Sequence, residues 1–228
     1  MIQKSTDTIV KFLSHTSSFE DWADSKKVEK LIKEMGINGE KPHELPQELI
    51  PCMGGIRAWV MPVQTAPYLS WLHDNGPFDS YLEIGTRFGG TFMLTCEALR
   101  SKNKNLWAVG CDIICQPIEL KTYMSIRGFE YLHGSSGSDE FKKMATSRRW
   151  GVCLIDGSHK YEDAIRDFEI VNGNADVIVF HDACSDACPG VVKIWEEMKA
   201  KHPYRCHEFT KQYFTDKSYM GLGILDLR

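Results

Sequence analysis

No stretch of the 228-residue chain approaches the roughly 18 consecutive apolar residues that span a bilayer, and residues 1–11 are too polar for a secretory leader. The expectation is a cytosolic protein with no membrane partner. An excess of positive charge is missing as well: 27 Lys and Arg stand against 31 Asp and Glu, a net charge of −4. That balance offers no general attraction to phosphate backbones, so nucleic acid is not an expected partner. Internal repeats and low-complexity segments are also absent. With 43% hydrophobic and 25% charged residues, the composition excludes disorder, collagen-like repeats and coiled coils. The eight cysteines are scattered rather than paired in a framework, and neither Cys111/Cys115 nor Cys184/Cys188 has the two-residue spacing common in zinc sites. They are expected to be free thiols, several of them small hydrophobes in apolar runs.

What is present divides in two. Residues 1–62 form a helical N-terminal extension and lid, and residues 63–228 form an α/β domain. In the extension, Ser5 is the expected cap of a short helix through Leu13. Ser18 is the expected cap of a longer one from Phe19 to Met35, stopped by Gly36. Trp22, Val28, Leu31, Ile32 and Met35 mark one apolar face of that helix. Pro42, Pro46, Pro51 and Gly54-Gly55 then interrupt regular structure, which predicts a linker or covering flap carrying Arg57, Trp59 and Met61. A further helix is predicted from Thr65 to Asp74.

From Asp79 onward, apolar runs alternate with helical patterns, the signature of a parallel sheet flanked by helices. The predicted strands are Ser80–Ile84, Leu106–Cys111, Phe129–Leu132, Gly151–Ile155 and Val177–Phe180. Two last strands, Tyr204–Lys211 and Gly221–Leu227, lack room for a crossover helix between them and predict an antiparallel hairpin. The expected fold is α/β and Rossmann-like, a seven-stranded, mostly parallel sheet ending in that hairpin.

The strand Tyr81–Ile84 runs into a glycine-rich turn, Gly85-Thr86-Arg87-Phe88-Gly89-Gly90, and then a helix. Ligands of open parallel sheets bind at such strand ends. The dinucleotide fingerprint Gly-x-Gly-x-x-Gly is absent, because three residues separate Gly85 from Gly89. Asp112, after the second strand, suits a ribose hydroxyl. Asp156 and Asp182 end the adjacent fourth and fifth strands, which places two carboxylates on the same rim. Hard oxygen ligands suit Mg2+, and a nearby imidazole widens the choice to Mn2+ or other transition ions.

The pattern Glu83-x-Gly85-x-x-x-Gly89-Gly90, with Asp112 and the terminal hairpin, resembles the class I S-adenosylmethionine-dependent methyltransferases. A second block, Ile155-Asp156-Gly157-Ser158-His159-Lys160, followed by Phe180-His181-Asp182 and Pro189-Gly190, resembles their small-molecule and sugar O-methyltransferase branch. That branch includes macrocin-type and cephalosporin-hydroxylase-like proteins. The resemblance implies that Gly85, Thr86, Arg87, Gly89 and Gly90 wrap the methionine part of S-adenosylmethionine, that Glu83 supports this loop and that Asp112 holds the ribose. Ser135 and Ser136 would border the adenine, Asp156 would face the cofactor as well as a metal, and Gln64 is a further cofactor candidate. The acceptor would be a small molecule or sugar. His159 occupies the position of the basic residue of catechol-type enzymes and is the candidate general base, with Lys160 and His181 as further candidates. Asp156 and Asp182 would hold Mg2+ or Mn2+. Ala183 stands where catechol-type enzymes offer asparagine. Two other readings stay open: an NAD-dependent oxidoreductase, which Asp112 would serve equally, and a non-catalytic cofactor-binding module. A homodimer is compatible with the chain.

Overall fold

A computed structural model describes residues 2–214 and 216–228. Eight α-helices flank one seven-stranded sheet among these residues. The extension holds α1 (Ile2–Ser17) and α2 (Ser25–Met35), followed by two 3-10 turns at Pro42–Glu44 and Gln47–Cys52. Ser5 is not a cap: it lies inside α1, buried, with its Oγ donating to Glu119 at 2.9 Å. Ser18 is not the cap of α2 either. Asp24 takes that place and accepts from the Lys26 and Lys27 amides, as a carboxylate facing two orphan helix donors does best. Gly36 ends α2 with φ +103° as expected. The next helix, α3 (Pro62–Asn75), starts three residues before the predicted Thr65, because proline at the first helical position gives up no hydrogen bond.

The domain proper runs β1 (Ser80–Ile84), α4 (Gly90–Lys102), β2 (Trp107–Asp112), α5 (Ile118–Arg127), β3 (Glu130–His133), α6 (Asp139–Thr146), β4 (Trp150–Ile155), α7 (Tyr161–Val171), β5 (Ala175–His181), α8 (Pro189–Lys201), β6 (Cys206–Phe209) and β7 (Leu222–Asp226). The sheet order is β3-β2-β1-β4-β5-β7-β6. Strands β1 to β5 are parallel, and β7 pairs antiparallel with both β5 and β6. The last two strands are joined through residues 210–221, a longer excursion than the short connection expected. The order reverses direction between β1 and β4, so the strand ends there open a crevice.

Alternation assigns side chains to two cores. Tyr81, Val152, Leu154, Val177, Val179 and Ile224 point to one face; Leu82, Ile84, Cys153, Ile155, Ile178 and Phe180 point to the other. The extension joins the first core, burying Ile9, Phe12, Trp22, Val28, Leu31, Ile32 and Met35. Each such side chain contributes about 1.5–3 kcal/mol when taken fully from water, so the apolar face of α2 finds the partner its sequence requires. Glu83 shares the face of Tyr81 and is only 1% exposed. Among the described residues no helix is long and apolar enough to cross a membrane, and all eight cysteines are free.

Candidate functional site

The site begins where β1 ends. Gly85 has φ +89°, and a Cβ there would sit 1.9 Å from the carbonyl oxygen of Asp156, so strand β4 passes where a side chain would otherwise be. Its amide donates to the Cys111 carbonyl at 2.8 Å, while Asp156 donates to the Ile84 carbonyl at 2.8 Å. The turn is thereby sewn to both neighbouring strands. Gly89, at φ +84°, leads into α4, and Gly90 lies where a Cβ would meet the backbone of Ala58. The extension therefore lies directly on the start of α4.

Arg87 closes the turn on Asp112: its amide donates to Asp112 Oδ2 at 2.6 Å, and the Ile114 amide donates to Oδ1 at 3.0 Å. A carboxylate has about four lone-pair positions. Two remain for hydroxyls, and Asp112 is fixed in orientation by the other two. The Arg87 side chain does not extend along the loop. It stacks on Trp59 at 3.8 Å and pairs with Glu40 at 2.8 Å, while Arg57 stacks on Phe88 at 4.1 Å. Each segment lends a guanidinium to an aromatic ring of the other, so the loop and the extension hold each other.

These elements enclose a cavity of about 690 Å³. Its walls are Gly85 to Thr91, Cys111 to Ile114, Gly134 to Ser136, Asp156 to His159, Asp182, and, from the extension, Arg57 and Trp59. Of the predicted residues, Gly85, Thr86, Arg87, Gly89, Gly90, Asp112, Ser135, Ser136, Asp156, His159 and Asp182 all line it. Glu83 does not, and sits behind the loop where its Tyr81 partner donates to it. Met61 is buried away from the cavity. Asp163, which the sequence reads only as an acid favouring the start of a helix, and Arg166, which the sequence reading does not single out, also line the wall. They lie three apart on α7 and pair at 2.8 Å, and Arg166 also reaches Ser136 at 3.4 Å. Spacing of three on an amphipathic helix was the available signal, but it is equally common on a solvated face.

Two candidates fall elsewhere. Gln64 does not line the cavity: buried at 1% exposure, its amide donates to the carbonyls of Lys211 and Tyr219 and accepts from Gly221. It pins residues 211–221 against α3. Gln64→Ala is expected to cost about 3 kcal/mol of stability in urea unfolding by stranding buried backbone groups, with cofactor affinity unchanged. Lys160 likewise lies outside the cavity wall, at the N-terminal cap of α7.

At the carboxyl ends of β4 and β5, next to the glycine turn, stands a compact cluster in which Asp156, His159 and Asp182 line the cavity and His181 is buried outside its wall. His159 Nε2 lies 3.2 Å from Asp182 Oδ2 and 3.9 Å from Asp156 Oδ1. His181 Nδ1 lies 3.3 Å from Asp156 Oδ1 and 3.5 Å from Asp182 Oδ2. Behind His159, Cys188 Sγ is 3.2 Å from Nδ1. Asp156 and Cys188, helped by Asp182 and opposed by burial, raise the His159 imidazole to about 10. Burial works against the charged form of His181, but Asp156 and Asp182 outweigh it and hold its proton well above the usual range. Asp182 is likewise opposed by burial yet kept below the ordinary carboxylate range by the two imidazoles. In this arrangement His159 carries its proton, so it accepts another group's proton only when the two carboxylates are otherwise neutralised.

His181 is 2% exposed, and its Nδ1 forms no hydrogen bond of good geometry with either acid. An orphaned buried nitrogen facing two carboxylates fits a bound cation, and so does the donor set. Asp156, His181 and Asp182 offer one ligand atom each within 4.8 Å of one another, as do His159, Asp182 and Cys188. Cys111, Cys115, Cys184 and Cys188 do not gather into a thiol site.

Comparison with known proteins locates this arrangement. No family model matches the sequence, and no curated protein matches it. Solved structures do. Cofactor-bound Rv0187 from MTB superposes with a TM-score of 0.55 at 15% identity, over 90% of this chain and 89% of its own. A Klebsiella pneumoniae protein of proposed O-methyltransferase activity gives 0.54 at 12%, over 89% and 88%. The O-methyltransferase TomG from Streptomyces achromogenes, involved in tomaymycin synthesis and solved in complex with S-adenosylmethionine, gives 0.53 at 16%, over 77% and 84%. At such identities the likeness concerns architecture, and with the strand order above it shows that this chain shares the Rossmann-like α/β fold of these solved structures.

Proposed function

We propose that the protein is an S-adenosylmethionine-dependent O-methyltransferase acting on a hydroxyl of a small molecule or sugar. The observation that carries this reading is one cavity lined by two chemically distinct groups: a glycine turn with the oriented Asp112 carboxylate, and acid and imidazole side chains on the rim of β4 and β5. Its volume lies within the roughly 300–1,000 Å³ typical of small-molecule sites.

When bound, S-adenosylmethionine supplies a methyl group on a sulfonium, which passes to the acceptor oxygen as the sulfur–carbon bond breaks. What the chain must do is align the two and take charge of the hydroxyl proton. Gly85 and Gly89 let the turn approach the methionine part closely, and Asp112 offers its free lone pairs to ribose hydroxyls. Ser135, Ser136 and Arg166 face the adenine end. Arg57 and Trp59 bring the extension into the wall beside the glycine turn, where it would cover the cofactor loop. At the acid–imidazole end, Asp156 and Asp182 would hold a divalent cation, which would draw the acceptor oxygen into place and ease loss of its proton.

The test is calorimetric titration of the purified protein with S-adenosylmethionine, S-adenosylhomocysteine and NAD, with and without Mg2+ or Mn2+. Binding of the two adenosyl sulfur ligands, and not NAD, supports the reading; preference for NAD, or no binding, overturns it. Asp112→Ala is expected to weaken S-adenosylmethionine binding about 10- to 100-fold, the loss of hydrogen bonds to a charged acceptor. Unchanged affinity would remove the ribose assignment.

A further inference from the structure

We infer that Arg57 reads the carboxylate of the cofactor's amino-acid end. The extension then distinguishes S-adenosylmethionine and S-adenosylhomocysteine from adenosine ligands that lack this carboxylate. The inference deepens the methyltransferase reading and rests on it for the identity of the ligand.

The first observation is how charge is distributed in the cavity wall. Of its three guanidiniums, Arg87 pairs with Glu40 at 2.8 Å and stacks on Trp59, and Arg166 pairs with Asp163 at 2.8 Å and Asp167 at 3.2 Å. Arg57 is the least engaged. Its acid partner is Glu119, with Nη2 and Oε2 3.5 Å apart, beyond the roughly 2.7–2.9 Å of a charge-assisted hydrogen bond. Glu119 stands outside the wall, and its other oxygen accepts from Ser5 at 2.9 Å. A guanidinium carries several donors in a planar fork that matches a carboxylate, so Arg57, with its side chain 36% exposed, can take one from the cavity. The amino-acid end of S-adenosylmethionine is a zwitterion. Its ammonium suits the wall carboxylates Asp112, Asp156 and Asp182, which repel its carboxylate, so the latter needs the cation that still has donors to give.

The second observation is where Arg57 stands. A Cβ on Gly90 would lie 2.4 Å from the Ala58 backbone and 2.7 Å from the Ile56 carbonyl oxygen, so residues 56–58 cross the first turn of α4 where the glycine turn ends. That is the part of the wall proposed above for the methionine portion. The third observation is that the side chain is held ready. The amides of Ile56, Arg57 and Ala58 donate to the carbonyls of Met35, Gly54 and Gly36 at 3.0, 2.9 and 3.2 Å, which ties the backbone on both sides of Arg57 to the end of α2. The Phe88 ring, its centroid 4.1 Å from the guanidinium carbon, supports the fork. A preformed fork binds a carboxylate while giving up little side-chain freedom.

The experiment is calorimetric titration of the full-length wild-type protein and of Arg57→Gln with S-adenosylhomocysteine, decarboxylated S-adenosylhomocysteine and methylthioadenosine. All three ligands share the adenosine and the sulfur, and only the first carries the carboxylate. The wild-type protein is expected to bind S-adenosylhomocysteine about 10- to 100-fold more tightly than its decarboxylated form, the range for a hydrogen-bonded charge pair. In Arg57→Gln that preference should collapse through loss of S-adenosylhomocysteine affinity, while the two ligands without the carboxylate bind as they do to wild type. Glutamine is also a non-glycine residue at φ +54°, so the substitution adds no backbone strain. Arg57→Lys, which keeps the charge without the fork, should be intermediate. Unchanged S-adenosylhomocysteine affinity in Arg57→Gln, or an equal loss for all three ligands, would overturn the inference and leave the methyltransferase reading standing. If the wild-type protein binds none of the three, the reading itself falls and the inference falls with it.

Discussion

Gly85→Ala is expected to cost about 2–5 kcal/mol of stability and to abolish cofactor binding in whatever fraction still folds. Two effects add. An alanine at φ +89° loses about 1–2 kcal/mol to the clash of its own Cβ with the backbone, and forcing a methyl group into packed structure costs about 1–3 kcal/mol more. The second effect is unavoidable here, because the atom in the way is the Asp156 carbonyl, and the adjoining amide is held to Ile84 by the β1–β4 ladder. Relief requires β4 to move from β1, which separates the glycine turn from the acid–imidazole cluster. Gly173→Ala is the matched control. It has nearly the same φ, +87°, but open space where the methyl would go, so it should lose only the backbone part. Urea unfolding of both variants, with S-adenosylmethionine titration, makes the comparison. Equal losses at the two positions would mean that the close approach of β4 is unimportant.

The second large effect lies in the pH dependence of stability. Burial, reinforced by the charge of Asp156 and opposed by the bond from Tyr81, lifts the Glu83 carboxyl from its ordinary 4.5 to about 8. In the folded chain it therefore stays protonated at neutral pH, whereas in the unfolded chain it ionises. The folded state binds the extra proton between those two values, so the stability that Glu83 contributes is complete below pH 4.5. It declines by about 1.4 kcal/mol per pH unit on the way to pH 8 and is gone above it. Glu83→Gln keeps the shape and the acceptor for Tyr81 but cannot ionise. Relative to this variant, the wild-type protein should lose stability steadily from pH 5 to 8, and the variant should be the more stable of the two at pH 9. Chemical denaturation across that range gives the difference directly, and parallel profiles would show that Glu83 is already ionised in the folded state.

Much of the architecture could be read from the chain because its signals are local. β1 was located to the residue, since Ser80–Ile84 is an apolar run stopped by a glycine that no other residue could replace there. The apolar stripe of α2 was visible for the same reason. Its start was misplaced by several residues, because Ser18 and Asp24 are both acceptable caps and only the fold decides between them. Within the site, Gly85, Gly89, Asp112, Asp156 and Asp182 were legible as strand-end residues of a parallel sheet. The surroundings of Gln64 were not legible because a polar residue on a helix carries no local mark of what it faces. Its three partners lie at positions 211, 219 and 221, about 150 residues away along the chain. Arg166 was missed, and Asp163 read only as a helix-start acid, for a related reason: the rotation of α7 that turns them into the cavity is set by packing against the sheet.

The sequence by itself determined the elements of this protein: the alternation of strands and helices, the turn after β1, and the carboxylates that parallel topology must place on one rim. These depend on periodicity and on backbone rules that act over a few residues. Tertiary structure alone decided which side chains meet. It set His181 and His159 within 3.5 Å of the same Asp182 oxygen, placed Cys188 behind His159, and laid Trp59 and Arg57 of the extension against Arg87 and Phe88. Such distances follow from how β4, β5, α8 and the extension pack as solid bodies, and chain spacing carries no record of that packing.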